Sequence, residues 1–368
     1  HRELGGKLVP FAGYQMPVQF ADGIIAEHQH TRQAASLFDV SHMGQAVLET
    51  TGPDTGRRHA AISALLEQLV PGDVQGLRPG GMRYTVLLSE SGGILDDLIV
   101  WRPTDDNDQG KLAMVVNGAT KAEDFAFIDR RLAGRARLSV KSGHALLALQ
   151  GPKSAAVMAE HAPDSAQLRF MEGRVMKIGR REALVTRSGY TGEDGFEISI
   201  AASHAVALAR KLLNHPDVRP AGLGARDSLR LEAGLCLYGQ DLGPDINPVE
   251  AGLAWTIGKR RRRDGGFPGA IPILKSIEAG PARRRVGLKP EGRIVAREGT
   301  DIFSEDGETI GRITSGTFGP TVGGPIAMGY VKSEFSERGD RVALRIRGRS
   351  HGARIVALPF VPHKYVKG

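Results

Sequence analysis

Two adjacent carboxylates interrupt an otherwise apolar run in Gly92-Gly93-Ile94-Leu95-Asp96-Asp97-Leu98-Ile99-Val100-Trp101. Charge inside an apolar strand restricts a fold tightly, because an unpaired buried charge is costly. The run reads as the second arm of a hairpin. Arg83 to Leu88 supplies the first arm, and Glu90-Ser91-Gly92-Gly93 the turn. Side chains alternate along a strand, so Asp96 shares a face with Ile94, Leu98 and Val100. Asp97 shares the other with Leu95, Ile99 and Trp101. Both faces are apolar, which predicts burial of at least one carboxylate. An edge strand with one Asp in solvent and one bonded to a turn satisfies this pattern. So does a buried carboxylate held for chemistry. Periodicity leaves both readings open.

The rest of the chain narrows the field. At 368 residues it exceeds one ordinary core, and two or three domains are expected. Hydrophobic and charged contents of 41% and 24% are those of a globular protein, and no run reaches the length of a membrane span. The 48 glycines suit many tight turns. The single cysteine, Cys236, excludes an internal disulfide and a cysteine metal cage. Set in Leu235-Cys236-Leu237, it reads as a small core residue. A formal charge of +8 favours anionic partners.

In chain order, an apolar opening at Val9 to Tyr14 precedes a helix expected from about Asp22 to Ser36. A turn from Leu37 through Met43 leads to a strand at Gln45 to Glu49. Gly52-Pro53-Asp54 opens a helix through about Leu69. After the hairpin, Pro103 to Gly110 is a polar loop, and Leu112 to Val116 a strand ending at Asn117-Gly118. Thr120 and Glu123 read as a capping box, with Phe125, Ile128 and Leu132 on one helical face. Ala145 to Leu149, Ala183 to Arg187 and Phe196 to Ile200 are strands. Ala202 to Leu213 and Gly222 to Ala233 are helices. Lys259 to Gly266, with five consecutive basic residues, reads as an exposed linker. Short strands and Gly/Pro turns after Arg283 predict a small β-barrel or sandwich.

Glycine-rich dinucleotide and phosphate loops, the zinc motif His-Glu-x-x-His and the Gly-x-Ser-x-Gly elbow are all missing. Asp39, Ser41 and His42 read as a turn, because sequence neighbours rarely form a triad. Four ordered stretches remain. They are Leu37 to Met43, Gly93 to Asp97, Gly189 to Glu197, and Ala221 to Asp227 continued by Leu229 to Glu232 and Leu237 to Gly239. With Thr314-Ser315-Gly316 and Ala327 to Val331, the set resembles the aminomethyltransferase of the glycine cleavage system, the T-protein, over essentially the whole chain.

That resemblance implies an α+β fold, a three-domain cloverleaf around a central folate channel. Residues 1–50 and 145–275 are then a discontinuous first domain. Residues 51–144 are an inserted domain carrying the Asp-Asp strand, and 280–368 a C-terminal β-barrel. The implied reaction transfers the one-carbon unit of aminomethyl-dihydrolipoyl H-protein to tetrahydrofolate, releasing ammonia and 5,10-methylenetetrahydrofolate. Tetrahydrofolate is a substrate, no metal is required, and the partners are the lipoylated H-protein and the other system proteins. A monomer is implied, without nucleic acid or membrane. Its compartment is the cytoplasm in bacteria and the mitochondrial matrix in eukaryotes.

Residue by residue, the family's acid matches Asp97. Glu197 matches the carboxylate that reads the pterin donors, although a solvent-facing strand Glu has the same local pattern. Asn117 matches a pterin-contacting amide, and Met43, Tyr84 and Val116 match ring-packing residues that would also pass as core. Arg226, Tyr238 and Arg285 match groups that hold the p-aminobenzoyl-glutamate tail, and Tyr190 joins the set. Where some members place an Arg for the tail, His363-Lys364-Tyr365 stands here, with Lys364 as the substitute charge. An iron–sulfur-assembly relative is disfavoured by Leu235 to Asp241, which follows the transferase pattern. The folate half of a sarcosine or dimethylglycine oxidase needs a flavin half that this chain lacks. Nucleic-acid binding through Lys259 to Arg263 is weakly signalled, without interleaved aromatics.

Overall fold

The carboxylate strand, Ile94–Trp101, lies between Met82–Leu88 and Lys111–Val116 and is antiparallel to both, in a computed structural model that describes residues 1–51 and 57–367. The five-stranded sheet continues through Gly44–Thr50 to Ala136–Val140. Two glycines shape its entrance. Gly92 has φ of 88°, and a Cβ on Gly93 would stand 1.8 Å from the Pro244 carbonyl oxygen. Helices Arg58–Leu66 and Lys121–Leu132 pack on one face, where Ile62, Leu66, Leu98, Val100, Ile128 and Leu132 share a core. The helix opening read at Gly52-Pro53-Asp54 lies outside the described residues. Thr120 does not cap its helix through its side chain; its hydroxyl reaches back to the Asn117 carbonyl at 3.5 Å. Gly44–Thr50 precedes the boundary expected at residue 50, yet it pairs with strands that follow it.

A six-stranded sheet runs Glu172–Ile178, Arg181–Arg187, Gly195–Ala201, His144–Gln150, Ala35–Asp39, Val218–Pro220. The helix expected from Asp22 to Ser36 covers only Ile24–Gln33. Ala35 to Asp39 instead forms a strand, pairing with His144–Gln150 and in parallel with Val218–Pro220. Ala35, Ser36, Leu37 and Phe38 are all buried. A strand covered on both faces shows no alternation and is easily read as the end of an apolar helix.

The C-terminal strands close into a six-stranded barrel, in the order Arg283–Pro290, Gly324–Lys332, Thr309–Gly319, Asp301–Phe303, Arg341–Ile346, Arg349–Val356. Val286, Leu288, Ile302, Ile313, Val331 and Leu344 fill its interior.

Lys259 to Gly266 is not an exposed linker. Lys259–Asp264 is a short helix with Arg261 buried. Arg261 Nη2 donates to the Glu67 carbonyl oxygen at 2.6 Å, and Arg260 Nη2 to Glu67 Oε1 at 2.5 Å and Asp73 Oδ1 at 2.6 Å. Glu67 is itself buried, so these cations satisfy a carboxylate that could not remain unpaired.

Candidate active site

Antiparallel register brings Leu98 opposite Val116, so Asn117 arrives beside Asp97. The Asn117 side-chain amide donates to Asp97 Oδ1 at 2.8 Å and to Asp96 Oδ1 at 2.8 Å, and its main-chain N–H to Asp96 Oδ2 at 3.0 Å. Alternation separates the two carboxylates as the strand pattern predicts. Asp96 is fully buried, while Asp97 keeps accessible surface. Tyr84 faces Asp97 from the neighbouring strand and stacks on Trp255, ring centroids 5.6 Å apart.

Burial, and then the charge of Asp96, push the Asp97 carboxyl up to about 7, against hydrogen bonds from Tyr84 and Asn117. Burial also raises Asp96, reinforced by the carboxyl of Asp124, which meets it from helix Lys121–Leu132. Burial raises Asp124 in turn.

Glu197 lies on Gly195–Ala201, in register with Ala148. Its Oε2 accepts from Ser188 Oγ at 3.2 Å, and among the described residues no hydrogen bond reaches Oε1. Burial raises its proton affinity, opposed by the nearby Arg226 guanidinium. Arg226 lies 4.6 Å above the Tyr190 ring, and its Nη1 is buried without a partner. The Tyr190 hydroxyl donates to the Cys236 carbonyl. Cys236 is buried, which pushes its thiol up to about 12 and makes it a packing residue.

Asp97, Tyr84, Asn117, Tyr190, Glu197 and Arg226 are each half-buried, on segments whose other residues are mostly buried. Each therefore keeps some solvent-accessible surface. Met43 is half-buried against Phe38, Val40 and Leu229. Val116 has no exposed surface and belongs to the core of the five-stranded sheet, so it offers a ligand no face.

The three residues matched to a folate tail lie in different surroundings. Arg226 faces Glu197. The Tyr238 hydroxyl is 3.5 Å from the Ile94 carbonyl oxygen, near the aspartates. Arg285 donates from Nε to the Ala251 carbonyl at 2.9 Å and from Nη1 to that of Gly234 at 3.0 Å, pinning the barrel to that loop. Lys364 is not an unattached cation: its Nζ is 3.1 Å from Glu193 Oε1, a buried carboxylate also paired with Arg32. The Asp39 carboxylate accepts the Ser41 N–H at 2.9 Å, an ordinary turn, and no triad forms. Among the described residues, no group of three or more His, Cys, Asp or Glu side chains is arranged to hold a metal ion.

Asp124 and Trp255 were not legible as site residues. Asp124 did carry a signal, since it precedes Ile128 and Leu132 at intervals of four, on the helix's buried face.

Comparison with known proteins agrees with this geometry. Residues 1–261 match the family model for the GCVT N-terminal domain, and 283–362 that for the glycine cleavage T-protein C-terminal barrel domain. The mitochondrial aminomethyltransferase of Pisum sativum is 45% identical over 377 residues, covering 100% of this chain and 89% of the relative. That of Gallus gallus is 44% identical, covering 99% and 91%. The crystal structure of glycine cleavage system aminomethyltransferase T from Bartonella henselae superposes with a TM-score of 0.92 at 42% identity, covering 100% of this chain and 97% of that one. The chain therefore belongs to the T-protein family of the glycine cleavage system, a family of aminomethyltransferases.

Proposed function

We propose that the space bordered by Asp97, Tyr84, Asn117, Tyr190, Glu197 and Arg226 takes tetrahydrofolate as substrate, with its pterin ring toward Glu197 and Arg226. One observation carries this reading: Glu197 Oε1 and Arg226 Nη1, an acceptor and a donor at the same end, have no hydrogen-bond partner among the described residues. A pterin edge offers N–H donors to a carboxylate and a carbonyl oxygen to a guanidinium, so one flat ring satisfies both. Met43 and Tyr84 supply apolar contact. The tail leaves past Tyr238 and Arg285, whose Nη2 makes no hydrogen bond among the described residues.

The reaction takes the aminomethyl group from the lipoyl arm of the H-protein. Its carbon–sulfur and carbon–nitrogen bonds break, the carbon bonds to N5 and N10 of the folate, and the two protons those nitrogens lose go to the departing sulfur and to the amine, which leave as thiol and ammonia. The ionised Asp97 carboxylate lies where positive charge develops at the one-carbon unit, and a fixed anion there lowers the barrier. Its elevated proton affinity makes the ionised fraction vary near neutral pH.

The partner reading rests on charge. Residues 283–368 carry 16 Lys and Arg against 9 Asp and Glu, so the barrel holds seven of the eight excess positive charges. An acidic carrier docks there, and the protein acts on it as a monomer. Beside the two-stranded ribbon of Lys7–Phe11 and Tyr14–Gln19, the three larger sheets support a reading as three domains, with the first boundary before Gly44–Thr50. The relatives named above from Pisum sativum and Gallus gallus are mitochondrial. The compartment of this chain follows its source, matrix or bacterial cytoplasm.

Calorimetry with tetrahydrofolate tests the site. Wild type binds, and Glu197→Ala binds more weakly. A folded protein that takes up no reduced folate overturns the reading.

A further inference from the structure

Three carboxyl groups meet behind the reaction centre, and among the described residues no cation joins them. Asp96 is fully buried and Asp124 nearly so. Their carboxyl groups lie within hydrogen-bonding reach of each other. Asp96 Oδ1 and Oδ2 accept from Asn117 at 2.8 and 3.0 Å, and the same amide serves Asp97 at 2.8 Å. Asp124 Oδ2 is buried without a partner. The groups facing Asp96 are Asp97 on its own strand, Asn117 beyond the neighbouring one, Asp124 from the helix Lys121–Leu132 and Tyr238 from the loop that follows Leu223–Glu232. Those facing Asp97 are Asp96, Tyr84, Asn117, Tyr190 and Cys236. Those facing Asp124 are Asp96, Asp97, Thr120, Glu123 and Tyr238. None is basic.

Touching buried carboxyls without a counter-cation cannot both ionise, and the pair shares one proton. The fold decides which holds it. Asp124 is in the first turn of its helix, where the helix dipole and the Thr120 hydroxyl favour an anion. Asp96 adjoins Asp97, whose charge disfavours a second one. The Asn117 amide and main-chain N–H both donate to Asp96 and favour its ionised form, but burial and the facing Asp124 carboxyl outweigh them.

We propose that Asp124 is a positioning residue that keeps the shared proton on Asp96, so that Asp97 is the one ionised carboxylate of its strand. The proton is held and does not transfer to substrate. Resting on Asp97 as the working carboxylate, this assigns a role to the residue behind it.

The test compares pH profiles of kcat for wild type, Asp124→Asn and the double variant Asp96→Asn/Asp124→Asn. In Asp124→Asn the new amide donates to Asp96 and stabilises its ionised form, placing a second charge beside Asp97. The acidic limb should then move up by roughly one pH unit, with KM for tetrahydrofolate unchanged. The double variant should return the limb to its wild-type position. A limb that does not move in Asp124→Asn, with activity merely scaled down, overturns the proposal and leaves Asp124 a packing residue. Infrared difference spectra of wild type against Asp96→Asn give a second reading without turnover. Loss of a protonated carboxyl band at neutral pH supports the proposal, and loss of a carboxylate band instead overturns it. Failure of the Asp97 reading has a separate signature, near-normal turnover in Asp97→Asn.

Discussion

The Asn117 side-chain amide lies 2.8 Å from Asp97 Oδ1 and also holds Asp96, so one side chain fixes the direction of two carboxylates that the strand sends to opposite faces. Among the described residues Asp97 has no cation of its own, and its charge is therefore expensive to the fold. This predicts opposite effects of Asp97→Asn. Turnover should fall by roughly 10²–10³ with little change in folate affinity, as when a transition-state interaction is lost. Stability should rise. The folded Asp97 binds its proton more tightly than an unfolded Asp, so its ionisation penalises the fold increasingly as pH rises through about 7. Asp97→Asn should melt at a higher temperature than wild type at pH 8, with a smaller difference at pH 5. Asp96→Asn, on the buried face, should act chiefly on stability. A larger catalytic loss in Asp96→Asn, with folding intact, assigns the acid to the wrong face.

Glu197 and Arg226 provide a second prediction, about binding. If the Glu197 carboxylate receives pterin donors, Glu197→Ala leaves those donors unsatisfied. The cost is about 1–3 kcal/mol in folate affinity. Arg226→Met retains much of the side-chain volume above the Tyr190 ring but removes the unpartnered guanidinium, and should weaken binding by a similar order. Calorimetric dissociation constants within twofold of wild type for both variants place the ring elsewhere.

Much of the active strand was legible because its signals are local. A Gly-Gly turn, strand alternation and two aspartates lie within ten residues, and Glu197 follows its own glycine-rich turn. Asp124 was hidden because the short-range Thr120–Glu123 pattern suggested a capping box, and only the fold brings the helix against Asp96. Arg261 was hidden for another reason. Its Glu67 contact spans 194 positions, so the run looked uncompensated. Ala35 and Ser36 read as the end of a helix and Leu37 to Asp39 as a turn, because double-sided burial removes the alternation that marks a strand.

The structural role of the basic run predicts an asymmetry within it. Arg261→Ala removes a buried guanidinium that meets the carbonyls of Glu67, Val70 and Gly266. It also leaves Glu67 with Arg260 as its remaining cation. Urea unfolding should show a loss of about 3–5 kcal/mol, typical of a broken buried pair. Among the described residues exposed Arg263 pairs only with its neighbour Asp264, and Arg263→Ala should fall within about 0.5 kcal/mol of wild type. Equal effects at the two positions contradict the docked-helix picture.

The same contacts move the expected partner surface away from that run and onto the barrel. Lys289 pairs in register with Arg354, and Arg354 with Arg341, so three cations form a row across adjacent strands. All three are exposed, and among the described residues none has an ion pair within 4 Å. Arg345 lies four positions along the same strand from Arg341 and on the same face. The acids nearby are Glu291, which lies over Gly352, and Asp340. Like charges directly opposite each other destabilise a sheet, and an acidic partner relieves that repulsion. Association with the lipoylated carrier should therefore weaken as salt rises, since exposed charges are screened over about 8 Å at physiological ionic strength. Arg341→Glu with Arg354→Glu should reduce the association rate at low salt by about tenfold or more and flatten the salt dependence. Lys259→Glu should change it little, as that helix faces Glu67 and Asp73. Surface plasmon resonance across a salt series measures both. A steep salt dependence that survives the barrel reversals would move the docking face elsewhere, and one that vanishes with Lys259→Glu would return it to the short helix.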